Sequence, residues 1–215
     1  MLKQLLIDTG VFEDAARFDA AFEMLPAVRK EKILKYRFPE DQRLSLGVGV
    51  LLEEAIKDAG LKTEAAALHP EILEGPQGKP YLKGFEDRFQ FSLSHSGTFA
   101  FCVYAFDPVG PVPAVGCDIE KIGTANFGIA ERFFSPEEKA FLNTLSGEEK
   151  NTAFYRLWTL KESILKADGR GTKIPLDSFT VRISEDKKTA TDFSPAVSLF
   201  EDAIPGYRLA WCTLI

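Results

Sequence analysis

A ten-residue stretch near the end of the chain, Leu160-Lys-Glu-Ser-Ile-Leu-Lys-Ala-Asp-Gly169, has a counterpart in the first half at Leu51-Leu-Glu-Glu-Ala-Ile-Lys-Asp-Ala-Gly60. Leu, Glu, Lys and Gly coincide at 4 of the 10 positions. Each stretch ends a predicted helix at glycine, which is common just beyond a helix C-terminus, and a loop and strand-like runs follow each helix. Two interpretations stay open: an internal duplication, or the ordinary resemblance between amphipathic helices that end in glycine.

The two stretches close two long predicted helices. The first helix is predicted from Pro39, a favoured residue at the first helical position, to about Ala59. The second is predicted over about 148–168, where apolar side chains recur on one face. Between the helices lies Asp107-Pro-Val-Gly-Pro-Val-Pro113, whose prolines and glycine favour a linker.

The composition is typical of a folded protein and argues against several classes of function. The 215 residues are 45 % apolar and carry a formal net charge of −6, which disfavours both global disorder and a nucleic-acid binder with a broad basic face. The three cysteines include no C-x-x-C pair, so we expect neither a disulfide framework nor a structural zinc site, and a reducing cytoplasm fits best. We also expect no signal peptide and no membrane-spanning segment, because no apolar run is long enough.

The predicted strand Val115-Gly-Cys-Asp-Ile-Glu120 carries two carboxylates on one face. Side chains alternate along a strand, so Asp118, Glu120 and Gly116 point the same way while the intervening side chains face a core. This pair suits Mg²⁺, which often binds one or two protein carboxylates together with phosphate oxygens and water. Gly116 is expected to leave room beside the carboxylates. The alternative is an ordinary half-buried strand with a solvated acidic face.

Glu162 and Lys166 share a face of the second long helix, one turn apart. A carboxylate in that place can complete a metal site or accept a proton, and a lysine one turn further on can hold a phosphate oxygen. Together the two side chains are able to flank a diphosphate. The commoner alternative is a surface Glu–Lys pair, which contributes only about 0.2–0.5 kcal/mol to helix stability.

Basic and small polar residues in the first half are candidates for anion binding. Five cations lie within residues 29–37, most of them expected on a solvated helix face. Arg43 lies early in the first long helix, where the backbone dipole and the guanidinium can bind an anion together. Lys79 is expected in a Gly-Lys-Pro turn. Ser94 and His95 are neighbours on a strand and point apart, so they favour an anion-binding role over a nucleophile–base pair.

Four motifs occur in one order along the chain: Gly78-Lys-Pro80, Ser92-Leu-Ser-His-Ser-Gly97, Val115-Gly-Cys-Asp-Ile-Glu120 and Trp158-Thr-Leu-Lys-Glu-Ser-Ile-Leu-Lys166. In this order they resemble the Sfp-type 4′-phosphopantetheinyl transferases, whose signature pair is V-G-x-D-x-E and W-x-x-K-E-x-x-x-K. The upstream block Lys35-Tyr-Arg-Phe-Pro-Glu-Asp-Gln-Arg-Leu-Ser-Leu-Gly47 is similar to the R-x-E-D-x-x-R-x-L-x-G region of that family, but it is one residue shorter before Arg43. The resemblance runs from about residue 25 to the end.

The resemblance implies an α+β fold of two similar, pseudo-symmetric halves, each a small antiparallel sheet packed with a long helix, with the active site between them. We expect these halves at 1–110 and 111–215. The implied activity is the Mg²⁺-dependent transfer of 4′-phosphopantetheine from coenzyme A to a serine of an apo acyl or peptidyl carrier protein, with release of 3′,5′-ADP. A monomer is expected to be sufficient, because the duplication supplies both halves in one chain.

The resemblance also implies roles for residues of the second half. Asp118, Glu120 and Glu162 would bind Mg²⁺, and Glu162 is the favoured base for the carrier serine. Lys166 would bind the coenzyme A diphosphate. Lys161 would assist in neutralising its charge.

In the first half, the same resemblance implies contacts with the nucleotide part of coenzyme A. Lys79, Ser94 and His95 would hold its phosphates, and His95 and Arg43 would lie near the 3′-phosphate. Two other classes stay open. One is a Mg²⁺-dependent hydrolase or phosphotransferase that acts on different phosphates. The other is a relative that binds carrier proteins or coenzyme A without catalysis.

Overall fold

The computed structural model describes residues 1–61, 70–184, 186 and 188–215, and the chain divides into two compact units. Unit 1 comprises Met1–Leu73 and Tyr81–Val112, and unit 2 comprises Glu74–Pro80 and Pro113–Ile215. The sequence-based boundaries did not anticipate that the short segment Glu74–Pro80 belongs to unit 2, although it lies within the first half of the chain.

Unit 1 combines α-helices with a small antiparallel sheet. Its helices are α1 (Ala15–Glu23), α2 (Ala27–Leu34) and α3 (Pro39–Asp58), and a short 3-10 helix covers Thr9–Glu13. The strands of this part of the chain are β1 (Leu2–Asp8), β2 (Ile72–Glu74), β3 (Pro80–Leu82), β4 (Phe89–Ser96) and β5 (Phe99–Phe106). Within the described residues, the main sheet has the antiparallel order β1-β5-β4, and β2 pairs with β3.

Unit 2 has the same kinds of element. Its helices are α4 (Phe127–Phe133), α5 (Pro136–Asn143) and α6 (Gly147–Asp168), and short 3-10 helices cover Gly171–Lys173 and Leu176–Ser178. Its strands are β6 (Ala114–Lys121), β7 (Val181–Ile183), β8 (Thr189–Thr191), β9 (Val197–Ile204) and β10 (Tyr207–Leu214). The main sheet has the antiparallel order β6-β10-β9, and β7 pairs with β8 in a smaller one.

The order of elements is the same in the two units. A first strand precedes the helices, the third helix is the long one, a short strand pair follows, and the last two strands form a hairpin whose second strand pairs with the first strand of the unit. This agreement confirms the predicted α+β class with two similar halves, each with a small antiparallel sheet and a long helix. None of the helices within the described ranges is long and apolar enough to span a membrane.

The long helix of unit 2 ends where the sequence predicts. Glu148 and Glu149 lie in its first turn, where negative charge is favourable for the helix dipole. Gly169 follows its last residue in the left-handed conformation, with φ of 79°, and donates a backbone hydrogen bond to the Leu165 carbonyl. Buried apolar side chains of α6, including Leu157, pack into the core of unit 2. The helix is therefore fixed along most of its length.

Candidate active site

The strand β6 and the helix α6 approach each other backbone to backbone at Gly116. A Cβ atom at this position would lie 2.0 Å from the Ser163 carbonyl oxygen and 2.3 Å from the Ala167 nitrogen. The expectation that Gly116 leaves room beside the carboxylates is therefore wrong, because the helix backbone fills that space. The close approach instead brings the acidic face of β6 directly against α6.

Asp118 and Lys166 form the central contact of this face. The Lys166 ammonium donates a hydrogen bond to Asp118 Oδ1 at 2.7 Å. The Asp118 side chain is 5 % exposed, while that of Lys166 is 32 % exposed. Glu162 lies one helical turn before Lys166 and is half-buried. The structure thus brings a strand carboxylate and two helix residues together.

The carboxylates of this cluster are near enough to influence one another. The pKa of Glu162 is raised, first by burial and then by the charge of Asp118, with a smaller contribution from Glu120, while Lys166 opposes these effects. Burial alone would lower the pKa of Lys166, but the neighbouring Asp118 carboxylate reverses this effect, so that the pKa is raised overall. Asp118 and, more weakly, Glu120 therefore repel the Glu162 carboxylate, and the Lys166 ammonium offsets part of this repulsion.

The donor set fits a divalent cation by its chemistry. Carboxylate oxygens are the ligands that Mg²⁺ prefers, and a cation would relieve the repulsion that raises the pKa of Glu162. In the part of the chain that the structure describes, no three His, Cys, Asp or Glu side chains are arranged as a metal-binding group. At Asp118 the Lys166 ammonium now supplies the positive charge. Metal binding would accordingly require a change in these side-chain positions.

Lys79 lies in the segment of the first half that belongs to unit 2. Its ammonium donates to the Ala167 carbonyl oxygen at 2.6 Å and to the Val115 carbonyl oxygen at 3.2 Å. It thereby joins the last turn of α6 to the start of β6. Burial lowers the pKa of Lys79 to about 8. The contact of Lys79 with nucleotide phosphates stays a prediction, and in this structure its ammonium caps the helix C-terminus.

We expect the contribution of Lys79 to stability to depend on pH. The pKa of Lys79 is about 8 in the folded protein, below the ordinary value of 10.5. Between these pH values Lys79 is protonated in the unfolded chain and mostly deprotonated in the folded chain. The burial penalty is present in full below pH 8 and is relieved as the pH rises toward 10.5. The free energy of unfolding of wild type, relative to that of Lys79→Met, should therefore increase by on the order of 1 kcal/mol from pH 7 to 9.5. Urea unfolding at the two pH values measures this difference.

The control for this experiment is Lys79→Arg, because an arginine stays charged over the whole pH range. The stability of Lys79→Arg relative to Lys79→Met should not change between the two pH values. If wild type behaves like Lys79→Arg, the Lys79 ammonium remains charged in the folded protein, and the predicted titration is wrong.

Lys161 lies away from the acidic cluster, although it precedes Glu162 in the sequence. Its side chain is fully buried and donates to both Glu138 oxygens, at 2.7 and 2.8 Å, and to the Phe179 carbonyl oxygen at 2.7 Å. All three ammonium hydrogens therefore have acceptors inside unit 2, and none is accessible to a ligand. This placement corrects the expectation that Lys161 assists coenzyme A binding. Glu138 lies 23 residues from Lys161 in the sequence, so this pairing was not predictable from spacing.

The predicted site residues of unit 1 lie on α3 and β4. Arg43 is in the second turn of α3, with Glu13 at 3.6 Å. Ser94 is buried and His95 is exposed, as expected for adjacent positions on a strand. Their contacts with coenzyme A stay predictions from the family resemblance.

Comparison with family models covers most of the chain. A model described as the 4′-phosphopantetheinyl transferase superfamily matches residues 114–212. A second model, described as 4′-phosphopantetheinyl transferase, N-terminal, matches residues 14–106. The two matches lie one in each half of the chain.

Curated relatives match along nearly the whole chain. The 4′-phosphopantetheinyl transferase ffp of Bacillus subtilis is 32 % identical over 200 residues, which cover 90 % of this chain and 84 % of the relative. The 4′-phosphopantetheinyl transferase Sfp of Bacillus subtilis (strain 168) is 31 % identical over 188 residues, 86 % of this chain and 80 % of the relative. A crystal structure of a holo-(acyl-carrier-protein) synthase from Bacillus anthracis, in complex with coenzyme A, has a TM-score of 0.43 at 21 % identity over 47 % of this chain and 94 % of that chain. From the family models and the curated relatives, the chain belongs to the 4′-phosphopantetheinyl transferase superfamily.

Proposed function

We propose that this protein transfers the 4′-phosphopantetheine of coenzyme A to a serine of an apo acyl or peptidyl carrier protein in a Mg²⁺-dependent reaction. The observation that carries the proposal is the cluster of Asp118, Glu120, Glu162 and Lys166 between β6 and α6. The carboxylates of the cluster supply hard oxygen donors for a metal ion, and its lysine supplies positive charge for a diphosphate. The family membership supplies the identity of the transferred group.

In the proposed reaction, the serine oxygen bonds to the phosphorus that carries the pantetheine arm. The bond from this phosphorus to the oxygen of 3′,5′-ADP breaks, and 3′,5′-ADP leaves. Glu162 accepts the proton of the serine hydroxyl, as a carboxylate placed beside the attacking group can. A Mg²⁺ ion held by Asp118, Glu120 and Glu162 would supply positive charge to the diphosphate oxygens.

Lys166 provides the second positive charge of the site. Its ammonium is only partly exposed and is already held at the acidic cluster by Asp118. When Asp118 binds a metal ion instead, this ammonium would be released to stabilise negative charge that grows on a phosphate. From the family resemblance, Arg43, Lys79, Ser94 and His95 are proposed to contact the nucleotide phosphates.

Two further properties are part of the proposal. A monomer is the expected active form, because one chain supplies all residues of the acidic cluster, and size-exclusion chromatography with light scattering tests it. We also place the protein in a reducing cytoplasm, because its three buried cysteines, Cys102, Cys117 and Cys212, form no disulfide.

The activity is tested by incubating the purified protein with coenzyme A, MgCl₂ and an apo carrier protein. Intact mass spectrometry of the carrier should show a gain of one phosphopantetheine group, and EDTA should prevent this gain. A gain that persists in EDTA would contradict the metal requirement. Fatty-acid, polyketide and peptide carriers should be tried in parallel, because the sequence does not distinguish among them.

The same experiment separates the proposed activity from its two alternatives. Release of inorganic phosphate from nucleotides without any carrier would favour a hydrolase or another phosphotransferase. Binding of coenzyme A and Mg²⁺ in calorimetry, without transfer to any carrier, would favour a non-catalytic relative. If neither transfer nor coenzyme A binding is observed, the proposed function is wrong.

A further inference from the structure

A buried ion pair lies in the core of unit 2. One of its members, Lys161, directly precedes Glu162 of the acidic cluster in the sequence. Lys161 and Glu138 both have side chains with 0 % exposure, and the ammonium lies 2.7 Å from a Glu138 oxygen. Charges are rarely buried so completely, because their removal from water is costly. Apolar side chains of similar size would often stabilise a core equally well. The pair therefore suggests a role other than stability alone.

The hydrogen bonds of this pair are complete and connect three elements. Glu138 lies in the first turn of α5, and its two oxygens accept from Val181 N, at the start of β7, and from Ser135 N, at the α5 cap. Lys161 lies in the middle of α6 and also donates to the Phe179 carbonyl oxygen. Its ammonium lies 4.2 Å from the centre of the Phe179 ring. The middle of α6 is thus held by directional contacts to α5 and to the segment before β7.

These contacts fix how α6 is rotated about its axis. Successive residues of an α-helix point about 100° apart, so the direction of Lys161 determines the direction of Glu162. Apolar packing tolerates small rotations and shifts, whereas the three hydrogen bonds of a buried ammonium do not. With Lys161 directed toward Glu138, the neighbouring face of α6 is directed toward β6: Lys166 donates to Asp118 at 2.7 Å, and Glu162 lies one turn away on the same face.

We infer that Glu138 and Lys161 are positioning residues, which hold α6 in the rotation that directs Glu162 and Lys166 at Asp118 and Glu120. This inference rests on the proposed function of the acidic cluster, and it adds a role for two residues that touch no substrate. Groups that orient metal ligands commonly change metal affinity or activity by about 10- to 100-fold when they are removed. The pair should therefore affect metal affinity and turnover beyond its effect on folding.

The test replaces both members of the pair, with Glu138→Leu and Lys161→Met in one chain, so that no buried charge is left unpaired. Thermal unfolding monitors the fold, electron paramagnetic resonance measures Mn²⁺ binding without coenzyme A, and carrier modification gives kcat and KM. We expect a folded protein whose Mn²⁺ dissociation constant rises, and whose kcat falls, by about tenfold or more. A folded double variant with wild-type Mn²⁺ affinity and kcat would overturn the inference, because the pair would then only stabilise the fold.

The matched control is the exposed ion pair of Glu137 and Arg182, which joins α5 to β7 and involves the sequence neighbours of Glu138 and Val181. A double variant, Glu137→Gln with Arg182→Gln, should keep both Mn²⁺ affinity and kcat. If the buried double variant does not fold, Glu138→Asp retains the charge and shortens the side chain by one methylene. It should lower kcat at least several-fold, because small displacements of catalytic groups are costly. An unchanged kcat in a folded Glu138→Asp protein would overturn the inference.

The two proposals fail in different ways. If the wild-type protein modifies no carrier but binds Mn²⁺, the proposed function fails, and the comparison of Mn²⁺ affinities still tests the positioning role. If the wild-type protein binds no Mn²⁺, the acidic cluster is not a metal site, and the positioning inference fails with it.

Discussion

Replacement of Glu162 by glutamine is expected to lower kcat by about 10²- to 10⁴-fold, the usual range for loss of a general base. The affinity for coenzyme A should change by less than about tenfold. Asp118, Glu120 and Lys166 remain in place, and they supply most of the charge that coenzyme A and Mg²⁺ would meet. Glutamine has nearly the shape of glutamate but accepts no proton from a serine hydroxyl at neutral pH. A large loss in kcat with a small loss in binding therefore identifies the base role.

Single-turnover transfer to the carrier, followed by intact mass, measures the chemical step, and calorimetry with coenzyme A and Mg²⁺ measures binding. The control is Glu53→Gln, because Glu53 has the same place in the repeated helix stretch of unit 1 as Glu162 has in unit 2. Glu53→Gln should keep a kcat close to that of wild type. Equal losses of transfer and of coenzyme A binding in Glu162→Gln would leave Glu162 with only a metal-binding role.

The control position also shows how the two halves have diverged. Both hairpins have two-residue turns, so Ser96 and Phe99 of unit 1 correspond to Ile204 and Tyr207 of unit 2. When residues are counted along the paired strands from these turns, Leu5 and Ile7 of β1 occupy the positions that correspond to Asp118 and Glu120 of β6. Of the four cluster residues, Glu162 and Lys166 have identical counterparts in unit 1, Glu53 and Lys57, whereas Asp118 and Glu120 do not. The duplicated fold therefore carries the full donor set in one half only.

The acidic cluster was predictable because its geometry is local. Alternation along β6 brings Asp118 and Glu120 to one face, and helical spacing brings Glu162 and Lys166 to another. The same kind of reasoning predicted the ends of the long helices, since Gly60 and Gly169 follow them with positive φ. Local spacing alone did not predict that β6 and α6 are in contact. That expectation came from the family resemblance.

The buried contacts of Lys161 and Lys79 were not predicted, for a common physical reason. The partners of Lys161 are Glu138 and Phe179, 23 and 18 residues away, and Lys79 meets Ala167 at a separation of 88 residues. A lysine in a signature motif or in a turn is expected to be exposed, because burial of an unpaired ammonium is very costly. Only the three-dimensional structure shows that acceptors are supplied from distant segments.

Gly116→Ala is expected to destabilise the protein more than any ordinary core substitution of one methyl group. The added Cβ would lie 2.0 Å from the Ser163 carbonyl oxygen, 2.3 Å from the Ala167 nitrogen and 2.9 Å from the Ala167 Cα. These are backbone atoms of α6, so the clash cannot be relieved by rotation of a side chain. Overpacking of this kind costs about 3 kcal/mol or more, which corresponds to a decrease in Tm of roughly 6–12 °C for a chain of this size.

The matched control is Gly123→Ala, where the new Cβ would meet only the Tyr155 hydroxyl at an ordinary 3.5 Å. Its Tm should stay within about 2 °C of wild type, since surface substitutions usually change stability by no more than about 0.5 kcal/mol. Equal Tm values for the two variants would show that β6 and α6 are not in backbone contact. If Gly116→Ala folds at low temperature, it should also bind Mn²⁺ less tightly than Gly123→Ala does. The helix that must move away from Gly116 carries Glu162 and Lys166, so an outward shift separates them from Asp118 without removing any ligand.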